Sequence, residues 1–239
     1  MKTVLITRAA DDGEKARSFL EQQGLQVLHI PLIRIMATCR NIPDSPCDAL
    51  IVTSAHAAPF LEACQHLKNK PVFAVGEKTA SAVVEMGFQN IFTGQGTALE
   101  LAELIRKHMT YGGHLLHVTG EDHKEEPRKT LKKHGFSYET WLAYKAAEIC
   151  PLPPELEKCL LAHKIDIILH YSRRSAALFR KRVLEANLLN AVTDLTHIFI
   201  SQDAACGIPE LQADHVLIAQ KPDEAHMLEK TLMAVLLQN

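Results

Sequence analysis

The chain has 239 residues, 47% of them hydrophobic and 23% charged, and a formal net charge of −2. That balance excludes a disordered chain, and with no Lys/Arg run longer than Arg180-Lys181-Arg182 it lacks the basic face that nucleic acid requires. No apolar run approaches the ~20 residues of a membrane span, so a membrane is excluded as well.

The N-terminal stretch MKTVLITRAADDGEKA reads as a strand and a charged helix start, without the apolar core or A-x-A site of a signal peptide. The six cysteines (Cys39, Cys47, Cys64, Cys150, Cys159, Cys206) are scattered with no C-x-x-C pair, which suits a reduced, cytoplasmic protein.

In chain order the strand-like runs are TVLITR (3–8), QVLHIPLIRI (26–35), ALIVTS (49–54), VFAVG (72–76), NIFTG (90–94) and HLLHVTG (114–120). SYETWLAYKA (137–146), DIILHYS (166–172), HIFISQ (197–202) and HVLIA (215–219) follow. Most are near-continuous apolar runs, the mark of strands buried on both faces. Between them lie helical patterns with apolar positions three and four apart, such as Ala16, Phe19 and Leu20, or Leu101, Leu104 and Ile105. The alternation predicts an α/β fold with doubly wound parallel sheets.

The chain also repeats itself. DALIVTS (48–54) parallels DIILHYS (166–172), and FAVG with EKTA (73–80) parallels FIS with QDAA (199–205). NIFTGQGTALELAELI (90–105) parallels HVLIAQKPDEAHMLEKTL (215–232), and VLITR with a helix ending at Gly24 parallels LLHVTG with a helix ending at Gly135. Two similar lobes follow, one discontinuous: 1–34 with 149–239, and 40–141. Residues 35–39 and 142–148 form a two-stranded β connector between them. A cleft between lobes joined by such a double crossing is a common place for a ligand.

Two stretches, 49–61 and 72–88, run from a buried strand through small and hydroxyl residues into a helix. Free N–H groups at such junctions attract carboxylates or phosphates. A helix N-cap would by itself explain Ser54 and Ser172, whereas recurrence at several strand ends favours a ligand. The thirteen histidines include no H-E-x-x-H and no Cys/His cluster, so no metal site is expected. His114 and His117 stand at odd spacing on one strand and point to opposite faces. Gly94-Gln-Gly96 is an incomplete dinucleotide fingerprint, there is no P-loop, and Ser54 lacks a nucleophile elbow. The acidic run 121–126 reads as a solvated helix start. Tyr144 falls in the second crossing, where its hydroxyl either packs a hinge or serves as donor or general acid.

VLITR, IPLIRI, VTSAHA, AVGEKTASAVVEMGF, Tyr144 in the return crossing and VLIAQKPDEAHMLEKTL are similar to the bacterial uroporphyrinogen-III synthases nearly end to end. The resemblance implies a cofactor-free lyase that takes hydroxymethylbilane, a linear tetrapyrrole with eight carboxylates, expels its terminal hydroxyl as water and closes the ring with inversion of ring D. It implies Tyr144 as the acid, and substrate binding by Arg8, Thr53, Ser54, Gly76, Thr79, Gly120, Ser172, Arg173 and Ser201, largely through backbone N–H groups. The lack of an obvious exposed apolar stripe favours a monomer, with transient contact to the preceding pathway enzyme as the expected partner. Two departures stand out. Ser201–Ala205 lacks the threonines common in the family, and HVTG (117–120) lacks the Arg often found before the glycine. Arg8, Lys78, Arg173 and Arg174 are the candidate substitutes. The alternative reading is a non-catalytic two-lobed binding protein for a carboxylated or phosphorylated small molecule.

Overall fold

The computed structural model describes residues 1–237. The chain runs through β1 (Thr3–Ile6), α1 (Ala10–Gln22), β2 (Gln26–His29), β3 (Ile33–Ala37), β4 (Ala49–Val52), a 3₁₀ helix (Ala55–Leu67), β5 (Val72–Ala74) and α2 (Glu77–Glu85). It continues through β6 (Ile91–Thr93), α3 (Ala98–His108), β7 (His114–Gly120), α4 (Arg128–Lys133) and β8 (Ser137–Glu148). Last come α5 (Pro154–Leu161), β9 (Ile167–His170), α6 (Arg173–Glu185), β10 (Thr196–Phe199), α7 (Gln202–Ala205), β11 (Val216–Ile218) and α8 (Glu224–Leu237). No helix among the described residues is long and apolar enough to cross a membrane.

The chain divides into two compact units, Met1–Arg34 with the residues from Ala147 onward, and Ile35–Ala146. The first holds a five-stranded sheet of order β11-β10-β9-β1-β2, every adjacent pair parallel. Successive strand residues feed opposite cores, as the two-residue period of a strand requires. Val4 and Ile6 pack with Leu20 and Met227 on the α1/α8 face, while Leu5 packs with Leu156, Phe179 and Phe199 on the α5/α6 face. Each such fully buried side chain is worth about 1.5–3 kcal/mol.

The second unit holds a six-stranded sheet of order β3-β8-β7-β4-β5-β6. Leu50, Val52, Leu116 and Val118 pack against the 3₁₀ helix and α2 on one face, and Ala49, Ile51, Phe73 and Leu115 pack against α3 and α4 on the other. Set beside the first sheet, β6-β5-β4-β7-β8 matches β11-β10-β9-β1-β2 place for place. The paired sequence stretches are therefore the same strands of one architecture, entered at a different point of the chain. Gly24 and Gly135, which end the matched helices, both take positive φ (79° and 83°), the left-handed turn that glycine adopts without penalty.

Four details differ from the expectation. The run 26–35 is two strands, separated at Pro31, whose missing N–H interrupts a ladder. Residues 55–67 form a 3₁₀ helix rather than an α-helix, with Pro59 inside it and non-helical backbone at Cys64; proline opposes the α-helical hydrogen bond at its own position. The connector is not a separate ribbon, because β3 and β8 both belong to the six-stranded sheet and β8 enters it directly from its ladder with β7. The acidic stretch 121–126 is an exposed or half-exposed loop ahead of α4, not the helix start itself.

Candidate functional site

In a doubly wound sheet, ligands collect beyond the carboxyl ends of the strands where the strand order reverses. Here those points lie between β1 and β9 in the first unit, and between β4 and β7 in the second. Arg8 follows β1, and Ser172 and Arg173 follow β9; Thr53 and Ser54 follow β4, and Gly120 ends β7. Gly76 and Thr79 stand one strand further on, after β5, and Ser201 after β10.

At the second unit's reversal point the side chains fall on both faces of the sheet. Tyr144 lies on the face of the 3₁₀ helix because of a β-bulge. In the ladder with β7, Thr119 stands opposite Leu142 and Gly120 opposite Tyr144, so Ala143 is the extra residue. Trp141, Ala143 and Tyr144 consequently pack into one core, whereas strict alternation would turn Tyr144 to the opposite face. The Tyr144 ring stacks on Phe60 at 5.5 Å between centroids and meets the edge of His56 at 6.3 Å. It lies so close over Gly120 that an added Cβ there would come within 2.6 Å of it.

On the opposite face Thr53 Oγ1 is 2.8 Å from Nε2 of His117, a histidine only 2% exposed. The His123 and Tyr138 rings flank His117 edge-on at 6.2 and 5.9 Å. Burial, with the His123 charge as a lesser cause, pushes the His117 imidazole down to about 3. His117 is therefore neutral at physiological pH.

Several of the singled-out hydroxyls already cap helices. Ser54 accepts from the His56 N–H at 3.3 Å, Ser172 from the Ser175 N–H at 3.1 Å, and Ser201 from the Ala204 N–H at 3.2 Å. What these junctions offer a ligand is thus chiefly backbone N–H. Gly76 caps α2 in extended conformation, its carbonyl accepting from the Thr79 and Ala80 N–H groups; Thr79 is buried in the first turn.

Both arginines are paired. Arg8 Nη1 is 3.2 Å from Glu224 and its Nη2 4.0 Å from Asp12, while its guanidinium lies 4.2 Å over the Tyr171 ring. Arg173 reaches Asp203 at 3.4 Å. With five donors in a planar fork, Arg8 keeps capacity for a carboxylate beside these partners. The structure brings Tyr144 to Gly120, and Arg8 to the strand end that carries Ser172.

Sequence reasoning weighed His117 only as a metal ligand and missed Phe60, His56 and Tyr171. The one further signal for His117 was an imidazole flanked by Leu116 and Val118 inside an apolar strand. A groove of about 500 Å³ beside β6 and α3, lined by Thr93, Gln95, Leu99, Glu103 and Lys107 among others, includes none of the expected site residues. No group of three or more His, Cys, Asp or Glu side chains able to hold a metal occurs among the described residues.

The family model of uroporphyrinogen-III synthase HemD matches residues 14–229. Among solved structures, uroporphyrinogen-III synthetase from Helicobacter pylori 26695 is similar at 20% identity and a TM-score of 0.64, over 98% of this chain and 99% of that one. A mutant uroporphyrinogen III synthase from the extremely thermophilic bacterium Thermus thermophilus is similar at 16% identity and a TM-score of 0.51, over all of both chains. At these identities the structural likeness concerns the fold. No curated protein matches the chain.

Proposed function

The chain belongs to the uroporphyrinogen-III synthase family, and on that premise we propose that Tyr144 is its catalytic acid and that its strand-end N–H groups hold substrate carboxylates. The activity is that of the family in heme biosynthesis. Hydroxymethylbilane loses its terminal hydroxyl as water and closes to uroporphyrinogen III with inversion of ring D. The match over residues 14–229 carries this conclusion.

The chemistry asks little of the protein as a reagent. The pyrrole nitrogen's lone pair pushes out the hydroxyl; the C–O bond breaks, and a proton delivered to the departing oxygen releases it as water. A tyrosine hydroxyl can supply that proton. Tyr144 suits the role because the bulge at Ala143 and the contacts with Phe60, His56 and Gly120 fix its ring. A held proton donor contributes through placement, since a displacement of about 1 Å can cost on the order of 100-fold in rate. The harder task is selection. The unassisted product forms without inversion, so the protein must orient ring D while closure occurs.

For that task we assign carboxylate binding to Arg8, Thr53, Ser54, Gly76, Thr79, Gly120, Ser172, Arg173 and Ser201. Helix starts and turn N–H groups favour anions electrostatically and fix their direction. We further read the chain as a cytoplasmic monomer that receives its unstable substrate from the preceding enzyme. The support is the reduced-type cysteine pattern and the scatter of large exposed apolar residues along the chain, from Phe19 and Met36 to Leu161 and Leu184.

Tyr144→Phe tests the acid role. The variant should unfold at the wild-type temperature and lose most of its turnover of freshly prepared hydroxymethylbilane. Near-normal turnover would remove Tyr144 from that role.

A further inference from the structure

We propose that His117 is a positioning residue for substrate binding, donating its Nε2 hydrogen to Thr53 Oγ1 so that the Thr53 hydroxyl hydrogen is presented to a substrate carboxylate. The inference rests on the reading that Thr53 belongs to the substrate site.

The geometry narrows the choices. Nε2 and Oγ1 are 2.8 Å apart, so one of them donates to the other. If Thr53 gave its hydrogen to the ring, only oxygen lone pairs would face outward, and a carboxylate is repelled by lone pairs. If Nε2–H donates instead, the hydroxyl hydrogen is released toward an anion. The second arrangement alone fits an anion-binding strand end.

The two residues differ in exposure as such a pair should. His117 is almost fully buried on β7, with Tyr138 and His123 edge-on to its ring, whereas Thr53 is half-buried at the end of β4. The histidine is thus an anchor that a ligand does not reach, and the threonine is the group it aims. Its burial keeps the ring neutral, with a single ring hydrogen to place. Because β4 and β7 are neighbours at the reversal of strand order, the aimed hydroxyl stands where ligands collect in such sheets.

The test compares Thr53→Val, His117→Leu, His117→Gln and the Thr53→Val/His117→Leu double variant with wild type, using hydroxymethylbilane as substrate. A hydrogen bond to a charged group is at stake, so KM should rise about tenfold in Thr53→Val and in His117→Leu, with kcat changed less than about twofold. The double variant should be no worse than either single, as expected of two groups acting through one contact. His117→Gln, whose amide can donate from nearly the same place, should retain a KM close to wild type. In the wild-type protein, ¹⁵N NMR of the imidazole should show the neutral Nε2–H tautomer.

A normal KM in Thr53→Val would remove Thr53 from the substrate site and take the inference with it. A raised KM in Thr53→Val with a normal one in His117→Leu, or additive losses in the double variant, would overturn the role of His117 alone. An Nδ1–H tautomer would overturn it too, and that measurement does not depend on whether the Leu variant folds.

Discussion

Replacing Gly120 by alanine should disable the enzyme by moving one ring. The new Cβ would lie 2.6, 2.9 and 3.1 Å from three Tyr144 ring carbons. Carbon atoms settle at about 3.5–4.0 Å, so the ring must retreat by roughly 1 Å. Phe60, stacked at 5.5 Å, and the edge of His56 at 6.3 Å restrict that retreat. Overpacking of this kind costs about 1–3 kcal/mol. A cost of about 2 kcal/mol would lower Tm by about 4–8 °C in a chain of this size. A catalytic group displaced by about 1 Å would lose on the order of 100-fold in kcat. Differential scanning calorimetry and turnover of hydroxymethylbilane measure the two losses. In Gly120→Ala/Tyr144→Ala the loss of Tm should be smaller than the sum of the two single losses, because the clash is gone, and no activity should return. A Gly120→Ala protein with wild-type Tm and kcat would refute both the close contact and the importance of ring placement.

Arg182, 3% exposed, donates to the Ile149 carbonyl at 2.7 Å and to Glu148 and Glu185 at 2.8 and 2.5 Å. The two carboxylates are nearly half exposed and can return to water, so the main cost of Arg182→Ala is the stranded carbonyl and lost stem packing, about 2–3 kcal/mol in urea unfolding; a loss under about 0.5 kcal/mol would contradict this. Stability should also fall in acid. His197 is pushed down to about 4 and His117 to about 3 by burial, and His170 lies well below its ordinary 6.5. Above pH 6.5 these rings are neutral folded or unfolded and the stability is intact. As pH falls, the unfolded chain binds protons that the folded one refuses, so stability is lost from about 6.5 down to the folded values, at up to about 1.4 kcal/mol per pH unit for each ring.

One ring of that set is separable. His197 Nε2 donates to the Val192 carbonyl at 2.8 Å, so its Nδ1 accepts from His170 Nε2 at 2.9 Å. That leaves His170 Nδ1, beside Phe179 and Phe199, without a partner among the described residues. His170→Phe should make the acid limb shallower by about one proton, while costing about 1–3 kcal/mol at pH 7 through the donor lost to His197. An unchanged slope between pH 6.5 and 5 would contradict the assignment.

Much of the architecture was legible because buried strands write themselves as apolar runs and because the chain repeats. Pairing DALIVTS with DIILHYS, and VLITR with LLHVTG, already implied one sheet order used twice, and β4, β9, β1 and β7 occupy matching places. The site was less legible, for physical reasons. Arg8 meets Glu224 across 216 residues and Thr53 meets His117 across 64, so both contacts depend on strand order rather than on local pattern. Tyr144 could be marked as interesting in a crossing strand, but the face it takes depends on one extra residue in a ladder. No periodicity shows where a bulge will fall. The serine positions were legible as junctions, yet which hydroxyls would be occupied by capping is decided by backbone geometry at each helix start.

The most direct test of the central claim is the isomer composition of the product. The purified wild-type chain is incubated with freshly made hydroxymethylbilane, the products are oxidised, and the uroporphyrin isomers are separated. Catalysed closure with inversion of ring D predicts predominantly isomer III, in an amount that rises with enzyme concentration. Isomer I alone, at the rate seen without protein, would contradict the account.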